Sequence, residues 1–278
     1  MKATEPEKSE QAQPEADRLD VTEPNAAVGG AARMLALNQA VGNRALARLV
    51  DPVSRARSAR LLQRAAVQVN EYVTEKTDES RLESVNWRAR YQVELSDGRC
   101  TATIKVKLNP DAGVTEDEVK KVKAAVPPKF AGYFSGRFML YEPGWIEDFW
   151  DDKWVLVAKV EFVDANEHLT VALHKGKGAD NRQNWYVDTP SITKAHELGH
   201  QLGLLDEYVE AGVVPRKDAS APGVFTDNSI MGDYYKEGVD KADVKLRHGT
   251  RLAQVIGRAV GKTLKAKMIT VSQEYVKT

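Results

Sequence analysis

Apolar and polar residues alternate on both sides of Asp97-Gly98, and this pattern defines the first recognisable element. Trp87, Ala89, Tyr91, Val93 and Leu95 are separated by Arg88, Arg90, Gln92 and Glu94, and Cys100, Ala102, Ile104, Val106 and Leu108 by Thr101, Thr103, Lys105 and Lys107. A period of two across an Asp-Gly turn predicts a β-hairpin with one buried face. Cys100 falls on that face, where a thiol serves as a small core hydrophobe. Thr115-Glu116-Asp117-Glu118 is a helix N-cap with an acidic first turn. It predicts a helix to about Ala125, with Val119, Val122 and Val126 on its apolar side and Pro127-Pro128 interrupting it. The nearly continuous apolar run 154–163 reads as a central strand covered on both faces, and 169–173 as a further short strand before a glycine-bearing loop over 175–181. Pro190-Ser191 leads into another helix, 242–262 is amphipathic with Val244, Leu246, Leu252, Val255, Ile256 and Val260 at helical spacing, and 268–276 reads as a last strand.

Upstream of the hairpin the composition changes twice. Residues 1–30 are acidic, carry Pro6, Pro14 and Pro24, and hold too few large apolar groups to offset chain entropy, which predicts a disordered tail. From Ala31, Met34, Leu37, Val41, Ala45 and Leu49 follow helical spacing among Arg44, Arg48, Arg55, Arg57, Arg60 and Arg64. This reads as a basic amphipathic segment over 31–79, with the globular part over 80–278. At 278 residues and 42% hydrophobic composition the chain can bury a sizeable core. A net charge of zero gives no electrostatic case for nucleic acid, and the single Cys100 excludes an intramolecular disulfide framework. No apolar run follows a basic start in the first thirty residues, and no stretch approaches 18 uninterrupted apolar residues. The expectation is a protein made and folded in the cytoplasm, with no signal peptide and no membrane partner.

The chemistry concentrates in Ala195-His196-Glu197-Leu198-Gly199-His200. Two histidines four apart on a helix lie on one face, about 5–6 Å apart at Cβ, so both imidazoles can converge on one ion. Glu197 then stands beside whatever water that ion holds. Neutral imidazoles suit Zn²⁺, and a catalytic zinc keeps one position open. Gly203 sits where a helix ends in a left-handed turn, so the chain can double back and deliver Asp206 as third ligand, with Glu207 and the downstream Glu237 as competing carboxylates. His168, His174 and His248 have no ligand spacing and are assigned ordinary hydrogen-bonded roles. Asp180 and Asp188, in the loop before the helix, are weak candidates for calcium.

The pattern His-Glu-x-x-His-x-x-Gly-x-x-Asp over 196–206 resembles the metzincin zinc metallopeptidases, in particular the snapalysin-like members with aspartate as third ligand. Ser229-Ile230-Met231-Gly232 resembles their Met-turn, whose methionine lies under the metal. The order of elements over 85–278 is similar as well, although only these two motifs are specific. The resemblance implies an α+β domain with a twisted mixed sheet, active-site helix, Met-turn and C-terminal helix. It also implies an endopeptidase with Glu197 as general base and the strand at 169–173 pairing with an extended peptide or protein substrate. Some metzincins place an assisting tyrosine two residues after the turn methionine; here that position is Asp233, which leaves Tyr208, Tyr234 and Tyr235 as candidates. Separately, 35–49, centred on Gly42-Asn43-Arg44, resembles a segment near the N-termini of proteins associated with extracellular contractile injection systems. That similarity implies a toxin cargo loaded into the tube lumen of the particle. A zinc-containing structural or loading component without turnover is the alternative.

Overall fold

The hairpin forms the spine of a mixed sheet that the helices cover. The structure is a computed structural model that describes residues 66–79, 85–143 and 153–269. The acidic tail 1–30, the basic segment as far as residue 65 and the part of the last expected strand over 270–276 lie outside the described residues.

Strands β2 (Val85–Ser96) and β3 (Arg99–Pro110) meet at Asp97 and Gly98, whose φ values of 48° and 73° are those of a tight hairpin turn. Trp87, Ala89, Tyr91, Val93 and Leu95 point into the core, as do Cys100, Ala102, Ile104 and Val106. Burial pushes the Cys100 thiol up to about 12, so it stays protonated. Before the hairpin stands β1 (Val67–Glu75), antiparallel to β2 from Val67↔Val93 to Glu75↔Val85. The sheet therefore begins inside the stretch assigned to the basic segment 31–79, upstream of the expected start at Ser80. Val67, Val69 and Val73 alternate with Gln68, Asn70 and Thr74, a β-branched period of two that outweighs the basic composition preceding it.

β3 is forked. Its first half pairs with β2, and beyond that point the same edge passes to β6 (Leu169–His174), while β5 (Lys153–Phe162) lies parallel along the other edge. Next to β5 come β4 (Phe138–Tyr141) and β8 (Lys265–Met268), both antiparallel to their neighbours. Leu156, Val157 and Ala158 of β5 are buried in succession, as a strand covered on both faces requires. A short strand β7 (Asn184–Tyr186) pairs with β6 over Ala172–His174, so the strand expected to offer its edge to a substrate is already partnered at that end.

Helix α1 (Glu116–Phe134) opens with a reciprocal capping box: Glu118 N–H donates to Thr115 Oγ1 (3.3 Å), and Thr115 N–H donates to Glu118 Oε2 (2.7 Å). It runs straight through Pro127-Pro128, which the sequence pattern had ending it. The reason is packing: Val122, Val126, Phe130 and Phe134, each four apart, are buried against the sheet and offset the local cost of the prolines. Helix α2 (Ser191–Gln201) packs on α1 and β2. Beyond it lie a loop with a short 3₁₀ turn at Val214–Arg216, the single-turn α3 (Tyr234–Glu237) and α4 (Leu246–Val260). Helix α4 starts later than expected from 242–262 and ends on Gly261 with φ 69°, a left-handed cap. The architecture is α+β with a curled mixed sheet.

Candidate metal centre

Helix α2 presents His196, Glu197 and His200 from buried positions, and one ligand atom from each lies within 4.8 Å of the others. After Gln201 the chain reverses at Gly203, whose φ of 96° is a conformation that a Cβ would strain, and Leu204 N–H donates back to Gly199 O (3.1 Å). The reversal brings Asp206 under the helix. Asp206 Oδ1 lies 3.1 Å from His196 Nε2 and 3.2 Å from His200 Nε2, and the two Nε2 atoms are 3.2 Å apart. Glu197 stands to the side, its Oε1 3.9 Å from His196 Nε2.

That triangle has a chemical meaning, because the other nitrogen of each imidazole is committed. His196 Nδ1 is 2.8 Å from Ile230 O and His200 Nδ1 is 2.9 Å from Leu204 O. A carbonyl oxygen only accepts, so each Nδ1 carries the hydrogen and each neutral ring turns an Nε2 lone pair toward the centre. Asp206 Oδ1 is itself a buried oxygen with no hydrogen-bond partner. With both rings neutral, three acceptors face one another, and such a cluster needs a proton or a cation at its centre. Ligands about 2.0 Å from a tetrahedral ion stand about 3.3 Å apart, close to the separations found here. The donor set fits a divalent metal cation.

The surrounding carboxylates draw positive charge to this point, whether it is carried by a proton or by a cation. Burial opposes charging His200, but Asp206 and Glu197 outweigh it and push the imidazole up to about 9. Burial likewise opposes the Asp206 carboxylate, yet His200 and His196 hold it well below the usual range. Glu197 is raised, by burial first and by Asp206 among its neighbours.

Other residues fix these groups, and several of them escape sequence reasoning. Arg216, fully buried, places Nη2 3.6 Å from Asp206 Oδ2 and makes a two-pronged pair with Glu75 of β1 (2.8 and 3.1 Å). Its guanidinium also lies 5.2 Å over the Tyr208 ring. Trp87 donates its indole N–H to His200 O (2.9 Å) and stands edge-on to that imidazole. Nothing in the spacing of Glu75, Trp87 and Arg216 signals this convergence; only the sheet brings them together.

The turn 229–232 lies directly beneath. Met231 is fully buried, its N–H donates to Ser229 Oγ (3.0 Å), and Ile230 supplies the carbonyl that orients His196. Glu207, the competitor of Asp206, is engaged elsewhere: Arg247 grips both its oxygens and His248 Nε2 lies 3.1 Å away. Glu237 accepts the backbone N–H of Asn228. Asp233 pairs with Lys236 at the surface. Tyr208 and Tyr234 flank His196, with ring centroids 6.5 and 5.9 Å away, and burial raises both phenols so that they stay protonated. Tyr235 is exposed and meets Thr193 Oγ1 at 2.6 Å. His168 accepts from Lys105 N–H, and His174 lies between Asp111 and Asn184.

Asp180 does not stand free for calcium. Lys194 of α2 places its ammonium 3.2 Å from Asp180 Oδ2, 2.7 Å from Tyr186 O and 2.9 Å from Thr189 O, with both side chains buried. A lysine amine fills the oxygen cage and staples the preceding loop to the helix.

No helix among the described residues is long and apolar enough to cross a membrane. Compared with protein-family models, curated proteins and solved structures, the chain matches none of them.

Proposed function

We propose that this chain is a zinc-dependent endopeptidase in which His196, His200 and Asp206 hold the metal and Glu197 carries the proton. The supporting observation is the triangle of Nε2, Nε2 and Oδ1 atoms beside the buried carboxylate of Glu197. Bound zinc supplies a Lewis acid that brings the pKa of water toward about 7 and polarises a carbonyl. Glu197, its carboxyl raised by burial, takes the proton of the attacking water and returns it to the leaving amine nitrogen. Ile230 O and Leu204 O keep the imidazoles aimed, Arg216 holds the far oxygen of Asp206, and Met231 supports the helix from below. Metal analysis with a casein digest, wild type against Glu197→Ala, tests the reading. Zinc bound by both proteins and cleavage by wild type alone is the expected result. Stoichiometric zinc without cleavage by wild type supports the non-catalytic structural or loading role instead.

The second part of the proposal is delivery as a toxin cargo by a contractile injection particle, supported by the sequence of 35–49. Deleting residues 1–64 should abolish co-purification with such particles, and unaltered co-purification would end the idea.

A further inference from the structure

Alongside α2 runs a groove of about 430 Å³ between β2, the start of β6 and the loop before β7, lined by Trp87, Arg88, Arg90, His168, Arg182 and Gln201 among others. Arg88, Arg90 and Arg182 line it in a chain whose net charge is zero, no carboxylate lines the space, and the Arg88 guanidinium leans toward β1, 6.0 Å over the Tyr72 ring. Arg88 reaches Asn70 Oδ1 at 3.3 Å, whereas Arg90 and Arg182 form no ion pair among the described residues. Arg182 is half-buried and stacks 5.0 Å over the Trp87 ring. The same indole donates to His200 O and stands edge-on to the His200 imidazole, so one tryptophan joins the groove to a candidate metal ligand. Gln201, which lines the groove, is one helical turn from Glu197 on the same face of α2.

A guanidinium seated over an indole can turn an N–H edge outward, and that edge matches a carboxylate with two parallel hydrogen bonds. Arg182 stays charged; burial lowers its pKa and the Glu197 carboxylate opposes that, which sets this group within electrostatic reach of the proposed proton carrier. An extended chain advances roughly 3.3 Å per residue, so a side chain one to three residues from a bond lying at Glu197 comes within range.

We propose that this groove is a specificity subsite for an acidic side chain close to the cleaved bond, with Arg182 on Trp87 as the carboxylate anchor and Arg88 and Arg90 as the attracting field. The inference rests on the peptidase reading for the position of the bond, so its test is separable from activity. Zinc-loaded Glu197→Gln protein is titrated with a series of uncharged peptides carrying a single Glu at successive positions, each paired with its Gln counterpart. At one position Glu should bind at least 10-fold tighter than Gln in low salt. The preference should shrink to a few-fold in 0.5 M NaCl, as expected for partly exposed charges. Arg182→Gln should erase the preference and Arg182→Lys, which keeps the charge without the fork, should retain part of it, with zinc content and melting temperature reporting intact folding. Equal binding of every Glu and Gln pair, an Arg182→Gln protein that still prefers Glu, or no binding by any peptide overturns the subsite. Preferential binding with no cleavage by wild type leaves the subsite standing and removes the peptidase reading.

Discussion

Met231 lies against Gly199, so that a Cβ placed on Gly199 would come within 2.7 Å of Met231 Sδ. The helix that carries both imidazoles and the turn beneath it touch at the one helix position without a side chain. Gly199→Ala should therefore destabilise the fold by about 1–3 kcal/mol, the usual cost of overpacking, even though alanine is the better helix former. Met231→Ala in the same chain should recover part of the loss. Chemical denaturation of the two single variants and the double variant measures this coupling, and simple additivity would show that the contact carries no energy.

The ligand assignment separates carboxylates by zinc retention. His196→Ala, His200→Ala and Asp206→Ala should each lose stoichiometric zinc, whereas Glu237→Gln should keep it, because Glu237 is spent on Asn228 N–H. Removing zinc with a chelator should lower the melting temperature of the wild type, since a ligand present at 1,000 times its Kd stabilises by about 4 kcal/mol. Loss of zinc from Glu237→Gln to the extent seen in Asp206→Ala would reassign the third ligand.

Arg216 is predicted to act through Asp206 rather than on a substrate. Arg216→Met should weaken zinc binding about 10–100-fold, the range seen for groups that orient metal ligands. It should also destabilise the protein by about 3–5 kcal/mol, because Glu75 is left charged and buried. Replacing Glu75 with leucine in the same chain should restore stability without restoring zinc affinity, and calorimetry reads both effects.

Glu207 gives a prediction in pH. Burial raises its carboxyl, but hydrogen bonds from Arg247 and His248 more than reverse that and bring it down to about 2. A carboxylate depressed in the folded state stabilises above its ordinary pKa near 4.5 and loses that contribution as the pH falls toward 2. The difference corresponds to about 3 kcal/mol. Glu207→Gln should thus be markedly less stable than wild type at pH 7, and the gap should narrow between pH 4.5 and 2. A gap of constant size across that range, measured by urea unfolding, would place the stabilisation elsewhere.

Periodicity made the hairpin around Asp97-Gly98 legible, and four-residue spacing did the same for His196 and His200. The Gly203 reversal was readable because a positive φ has few other residues to express it. Three features were hidden for physical reasons. Strand β1 follows a basic stretch whose composition masks the valine alternation. Helix α1 survives Pro127-Pro128 through tertiary burial of Phe130 and Phe134, which no local rule contains. Glu75 and Arg216 lie far apart in the chain, and only the pairing of β1 with β2 and the return of the loop after Asp206 place them together.

The staple between Lys194 and Asp180 has its own consequence. A fastening made from the chain's own amine cannot be washed out, titrated by changing mineral supply or exchanged for a competing ion. Chelation would then empty the centre while leaving the wall beside it upright, and a protein stripped in this way should accept zinc again without first having to rebuild that loop.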